Sequence, residues 1–192
     1  MGPGPRTSRT VYYTATTLDG FLADEQDSLD WLLSQDIDHD GPMGYASFID
    51  DVGALVMGAT TYAWVLDHQQ RTGESWSYTQ PCWVLTHRDL PRATEDVRLV
   101  SADTAEELRA VHAEARAVAE AAGGKDVWLV GGGGIAAALA DLGLLDALMV
   151  SVAPVTLGAG KRLLEGRTDL TLTRVERNRA FACLWYDVQR PG

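Results

Sequence analysis

Residues 127–139 read VWLVGGGGIAAAL, and this stretch sets the tightest limit on what the chain can fold into. An apolar run stops at four consecutive glycines, Gly131 to Gly134, and an alanine-rich segment follows at once. Glycine loses more backbone entropy on folding than any other residue, so four in a row are an unfavourable way merely to turn a corner. The pattern reads as a strand feeding a helix through a turn whose backbone must stay bare. Two causes can require that: close packing of the helix on the strand, or a phosphate accepting the N–H groups of the helix start, where the dipole favours an anion. The run is not a G-x-G-x-x-G dinucleotide fingerprint, because Ala136 and Ala137 follow Ile135. Nor is it a P-loop, because no Lys-Ser/Thr follows.

The rest of the chain places that turn in a larger pattern. Short apolar runs rich in β-branched and aromatic residues predict strands at 10–16, 53–57, 81–86, 97–100, 127–130, 147–154, 170–176 and 180–188. Helical segments lie between many of them, at 28–35, 44–51, 60–66, 104–124 and 135–143. The longest opens on a capping box, Thr104 with Glu107, keeps Leu108, Val111, Ala115, Val118 and Ala122 on one face, and stops at Gly123. Alternating strands and helices imply an α/β fold with a mostly parallel central sheet covered on both faces. The last two strands, joined near Asn178, predict an antiparallel C-terminal hairpin. Residues 1–9 read as a disordered tail and 10–192 as a single domain.

Charge and composition exclude several classes of function. The net charge of −11 argues against nucleic-acid and membrane-surface partners, since both need a basic footprint. No apolar run approaches the roughly 20 residues that span a bilayer. Cys82 and Cys183 lie far apart in strand-like runs, which predicts buried, reduced thiols in a cytoplasmic protein. The segment DIDHDG (36–41) imitates the start of an EF-hand loop, but Pro42 and Ser47 occupy its seventh and twelfth positions, so it reads as an acidic loop. His39, His68, His87 and His112 have no metal-ligand spacing, and no metal is expected.

Ligands of open α/β sheets bind beyond the carboxyl ends of the strands. Besides the glycine turn, two other strand ends carry suitable residues. Gly58, Ala59, Thr60 and Thr61 form a second strand-to-helix turn, where a threonine is either a plain N-cap or a phosphate contact. Thr86, His87 and Arg88 end a third strand, where Arg88 is either a solvated surface residue or a bidentate phosphate ligand. Asp19, in TLDGF (17–21), is either a turn residue or a carboxylate facing a ligand. Trp31, Tyr45 and Phe48 either line a pocket or fill the core.

The ordered segments VYYTATTLDGFLAD, ALVMGATTYAWVL, PCWVLTHR, VWLVGGGGIAAAL and VSVAPVTLGAGKRLL resemble a reductase-like family. It includes the C-terminal domain of the bifunctional riboflavin-biosynthesis deaminase–reductase and, more remotely, dihydrofolate reductase. The resemblance runs from Thr10 to Arg190. It implies a three-layer dihydrofolate-reductase-like fold with NADPH along the carboxyl edge of the sheet. Gly58 to Thr61 match the first cofactor turn, Thr86, His87 and Arg88 the segment at the adenosine 2′-phosphate, and Gly131 to Ile135 the pyrophosphate and nicotinamide turn. A cis peptide at Gly131–Gly132 is expected by the same likeness, as is a homodimer to which FACLWYDV could contribute. Val130 stands where riboflavin-pathway reductases carry a substrate-contacting glutamate. No zinc-deaminase signature is present, and LDWLLSQDIDHDGPMG does not reproduce the dihydrofolate-reductase substrate segment.

The implied chemistry is hydride transfer to an electrophilic C=N or C=O carbon of a small heterocyclic or sugar-like substrate. Asp19 is the candidate proton donor, a role that demands a buried carboxyl with a raised pKa. Residues 156–164 are expected to form a loop over the substrate, with Lys161 or Arg162 meeting an anionic group. The competing expectation is a protein that binds the cofactor without turnover, as a sensor or interaction module.

Overall fold

A computed structural model describes residues 7–191. The chain runs β1 (Thr10–Thr17), β2 (Phe21–Ala23), α1 (Asp30–Leu33), α2 (Tyr45–Ile49), β3 (Val52–Gly58), α3 (Ala59–Thr72), β4 (Cys82–Leu85) and β5 (Val97–Val100). It continues α4 (Ala105–Ala121), β6 (Asp126–Gly131), α5 (Gly133–Asp141), β7 (Ala147–Ala153), β8 (Lys161–Arg162), β9 (Leu170–Asn178) and β10 (Phe181–Val188). Eight strands form one sheet in the order β5-β4-β3-β6-β1-β7-β10-β9, and β2 pairs with β8 in a separate ribbon. The neighbours from β5 through β7 are parallel, whereas β10 is antiparallel to both β7 and β9.

Burial on both faces accounts for the parallel part. In β3, Val52 to Met57 are all buried, the near-continuous apolar run that a strand covered on both sides requires. On one side Tyr12, Val56, Trp83 and Leu129 meet Leu108, Val111 and Ala115 of α4 and Ala136, Leu139 and Ala140 of α5. On the other, Leu55, Met57, Val84 and Trp128 meet Phe48 of α2 and Tyr62 of α3. Three layers result, as the sequence pattern predicts. Cys82 and Cys183 are buried free thiols. The capping box forms as expected, with Thr104 Oγ1 accepting from Glu107 N–H and the Glu107 carboxylate accepting from Thr104 N–H.

Several expectations need correction. Of the expected tail, residues 1–6 lie outside the described residues, but Ser8 is buried and Arg9 N–H donates to Asp126 Oδ1 at 2.9 Å. Ser8 and Arg9 are thus part of the packed fold, with Arg9 held to the start of β6. The two short strands β2 and β8 occupy segments that carry no strand pattern in the sequence. The acidic loop is bound by Asn178, whose amide accepts from Asp38 N–H and donates to the carbonyls of Asp38 and Pro42. Among the described residues no cluster of metal ligands occurs, and no helix is long and apolar enough to cross a membrane.

Candidate active site

A cleft of about 690 Å³ opens on the α3 side at the carboxyl ends of β1 and β6. Thr14, Ala15, Val130 and Gly131 to Gly133 supply its floor, and Thr60, Thr61 and Trp64 of α3 form one wall. Leu22, Leu29 and Leu32 face them, and the segment from Gly160 to Gly166 crosses above the turn. The titratable groups along the described wall are Asp27, Lys161, Arg162 and Glu165.

The four glycines now separate by role. A Cβ on Gly131 would lie 2.6 Å from Thr61 Oγ1, so its bareness lets α3 approach β6. Gly132 takes φ +113°, a conformation that side chains disfavour. A Cβ on Gly133 would sit 2.1 Å from the carbonyl oxygen of Arg162, so the strap from β8 rests directly on the helix start. Gly134 is exposed and faces the Glu165 carboxylate, 3.6 Å from the position of a Cβ. Packing within the chain thus accounts for Gly131 and Gly133, a cause the cofactor expectation does not need. The expected cis bond is absent: no cis peptide occurs among the described residues, and Gly132 makes the turn by its φ alone.

The two helices that start at the cleft share a property. α3 begins after Gly58 and α5 after Gly132, neither has a side-chain cap, and neither has an acidic residue in its first turn. Ile135 links them, since a Cβ on either Gly58 or Gly132 would lie 3.1 Å from its Cδ1. By contrast α4 carries a capping box and two glutamates in its first turn. The first N–H groups of a helix lack intrahelical partners and favour negative charge, so two bare starts at one cleft form an electropositive backbone surface.

Other predicted residues fall elsewhere. Thr86 to Arg88 follow β4, one strand beyond β3, and do not line the cleft. Thr86 Oγ1 accepts from Arg88 N–H, and the exposed His87 Nε2 lies 2.8 Å from Asp103 Oδ1. Trp31 and Phe48 belong to the core: Trp31 Nε1 donates to Leu22 O, and Phe48 stacks on Tyr13 with centroids 3.9 Å apart. Tyr45, 40% exposed, packs against Trp128 away from the cleft wall. Lys161 lines the cleft and lies 3.7 Å from Asp27 Oδ1.

Asp19 requires the clearest correction. It is exposed and outside the cleft wall. Its carboxylate accepts the Thr17 hydroxyl at 2.5 Å and the N–H groups of Gly158 at 2.7 Å and Leu157 at 3.1 Å. The Thr17 hydroxyl, reinforced by those two amides, holds the carboxyl below its usual range. The burial and raised pKa that a general acid needs are both missing. Asp19 instead ties the turn after β1 to the loop after β7.

Sequence reasoning missed Trp64, Asp27 and Glu165. Trp64 stacks on His68 with centroids 4.9 Å apart and turns an aromatic edge of α3 toward the cleft. Its position one turn after Thr60 was the available signal, since residues four apart share a helix face. Asp27 takes φ +60° in the turn before α1, and nothing local marks it as a cleft residue.

Comparison with known proteins agrees with this architecture. The family model for the RibD C-terminal domain matches residues 10–183. The uncharacterized protein YwjB of Bacillus subtilis (strain 168) is 28% identical over 174 residues, covering 90% of this chain and 92% of that protein. A solved protein of Shewanella sp. PV-4, provisionally named for riboflavin biosynthesis, is 25% identical with a TM-score of 0.74, covering 95% of this chain and 99% of its own. Dihydrofolate reductase of Enterococcus faecalis, solved with NADP(H) and RAB-propyl, shares the fold at 14% identity and a TM-score of 0.54, covering 97% of this chain and 99% of its own. The fold is dihydrofolate-reductase-like, and the chain belongs to the RibD C-terminal domain family.

Proposed function

We propose that this protein is an NADPH-dependent reductase acting on a small, flat heterocyclic or sugar-like substrate. Family membership supports a reductase-type activity. The observation that carries the cofactor reading is the pair of uncapped helix starts at Gly58 and Gly132, both opening on one cleft. A dinucleotide diphosphate is the kind of anion such a surface receives. The residues present fit the group: donors without side-chain partners, no acidic residue in either first turn, and threonine hydroxyls at Thr60 and Thr61 beside them.

In this reading the first-turn amides of α3 and α5 would hold the diphosphate, and Thr86, His87 and Arg88, at the end of the neighbouring strand β4, would hold the 2′-phosphate of the adenosine. NADPH when bound supplies a hydride to an electrophilic carbon. The chain's own contribution is orientation and exclusion of water. Leu22, Leu29, Leu32 and Trp64 offer apolar and aromatic surface to a flat ring, while the Gly160–Gly166 strap covers it. Lys161 and Arg162 place positive charge where an anionic substituent or developing negative charge is held.

The test is NADPH oxidation by the purified protein across dihydropterins, ribosylaminopyrimidinones and simple imines. Turnover of any member, lost together with cofactor binding when the glycine turn is altered, supports the reading. Tight cofactor binding with no turnover across a broad panel would favour the sensor alternative.

A further inference from the structure

We propose that Glu165 serves as an internal anion for the start of α5 and is displaced when the cofactor's diphosphate arrives. The inference rests on the cofactor reading above and adds to it a residue that holds the affinity down. Three of the four titratable groups on the described cleft wall have partners within the chain. Asp27 Oδ1 and Lys161 Nζ lie 3.7 Å apart, and the Arg162 guanidinium sits 5.6 Å from the centre of the Phe21 ring. Among the described residues Glu165 alone of these four makes no ion pair, hydrogen bond or ring contact.

Its carboxylate lies instead against the first turn of α5. A Cβ on Gly134 would be 3.6 Å from Glu165 Oε2 and 3.7 Å from Oε1. That turn has neither a side-chain cap nor an acidic residue of its own. Its free N–H groups and the helix dipole therefore act on this one carboxylate, the sign of charge that a helix start favours. The strap brings from outside the helix what α4 carries in its own first turn, Glu106 and Glu107.

The backbone lets the carboxylate leave while the strap stays in place. Leu163 is pinned, its N–H donating to Gly20 O at 2.9 Å and its carbonyl accepting the Tyr12 hydroxyl at 3.3 Å. Leu163 and Leu164 also pack against the core. Glu165, Gly166 and Arg167 are exposed, and Gly166 turns at φ +76° with open space where its Cβ would be. Glu165 thus hangs on a short outer turn and can swing away from the helix. A diphosphate spreads its charge over the starts of both α3 and α5, whereas the carboxylate lies against α5, so the exchange favours the cofactor. Each binding event must still release the carboxylate first, and that requirement lowers the apparent affinity.

The test is calorimetric titration of the full chain with NADPH at low ionic strength. Glu165→Gln, which keeps the shape and removes the charge, should bind about three- to fivefold more tightly than wild type. Glu165→Ala should match it, because the gain needs no new hydrogen-bond donor. Glu25→Gln removes the same charge from an exposed position outside the cleft wall and should leave Kd within about 1.5-fold of wild type. The advantage of Glu165→Gln should shrink in roughly 0.5 M salt, where screening shortens the reach of both charges. Equal affinity, or the same gain in Glu25→Gln, would overturn the proposal and leave the cofactor reading standing. Weaker binding by Glu165→Gln would overturn it too, making the carboxylate a ligand of the cofactor's hydroxyls. No binding by wild type or any variant would remove the cofactor reading and this inference with it.

Discussion

The missing Cβ of Gly133 would lie 2.1 Å from the carbonyl oxygen of Arg162. Backbone therefore meets backbone where the strap crosses the start of α5, and neither side can yield by turning a rotamer. Gly133→Ala should destabilise the fold by about 1–3 kcal/mol, the usual range for overpacking a tight contact. Urea unfolding would measure that loss. Because the same contact shapes the cleft, cofactor affinity should fall with it.

A cap away from the cleft should behave differently. Thr104 closes the capping box of α4, so Thr104→Ala should cost about 1 kcal/mol. NADPH affinity, measured on the same preparations, should not change. The contrast separates helix starts that are satisfied within the chain from those left open for a ligand.

Asp19 gives a prediction on both activity and pH. Its carboxyl is held below the ordinary 3.8 in the folded state by the Thr17 hydroxyl and the amides of Gly158 and Leu157. Folding therefore favours the ionised form, and the resulting stability is fully present above pH 3.8 and is lost as pH falls through the lowered folded value. Asp19→Asn should lower the urea midpoint at neutral pH, and the gap to wild type should close in acid. Turnover at neutral pH should survive the change within a few-fold; its abolition, with cofactor binding intact, would restore Asp19 as a proton donor.

His112 titrates with the opposite chemistry but the same sign. It is buried in α4 with its Nε2 2.7 Å from Thr10 Oγ1. Burial, then the nearby Arg116, hold its pKa below 6.5, against a smaller opposing pull from Asp146. The unfolded chain binds the proton more readily, so this contribution is full above pH 6.5 and declines as pH falls below it. Stability should therefore drop between neutrality and pH 5, and His112→Gln should flatten that slope.

How far the sequence discloses all this depends on the scale of each feature. The sheet was legible because its strands are long enough to show apolar runs, and the helices because α4 spans 17 residues with a complete cap. β2 and β8, with three and two residues, are too short to carry a period and exist by pairing with each other. Thr60, Thr61 and the glycines could be found because their turns are local motifs. Lys161 was expected from its loop, whereas Trp64, Asp27 and Glu165 come from three separate segments, and only the fold brings them to one cleft. Trp31 and Phe48 illustrate the converse: an aromatic residue near a predicted site is equally suited to the core, and here the core has them.

The most direct test of the account is calorimetric titration of the wild-type chain with NADPH, repeated with NADH and followed in parallel by tryptophan fluorescence. If the two bare helix starts receive a diphosphate, binding should saturate at one cofactor per chain. It should weaken for NADH if Thr86, His87 and Arg88 read the 2′-phosphate, and weaken again in Gly133→Ala. No heat and no fluorescence change with either cofactor at millimolar concentration would contradict it, leaving the glycine turn as a packing device alone.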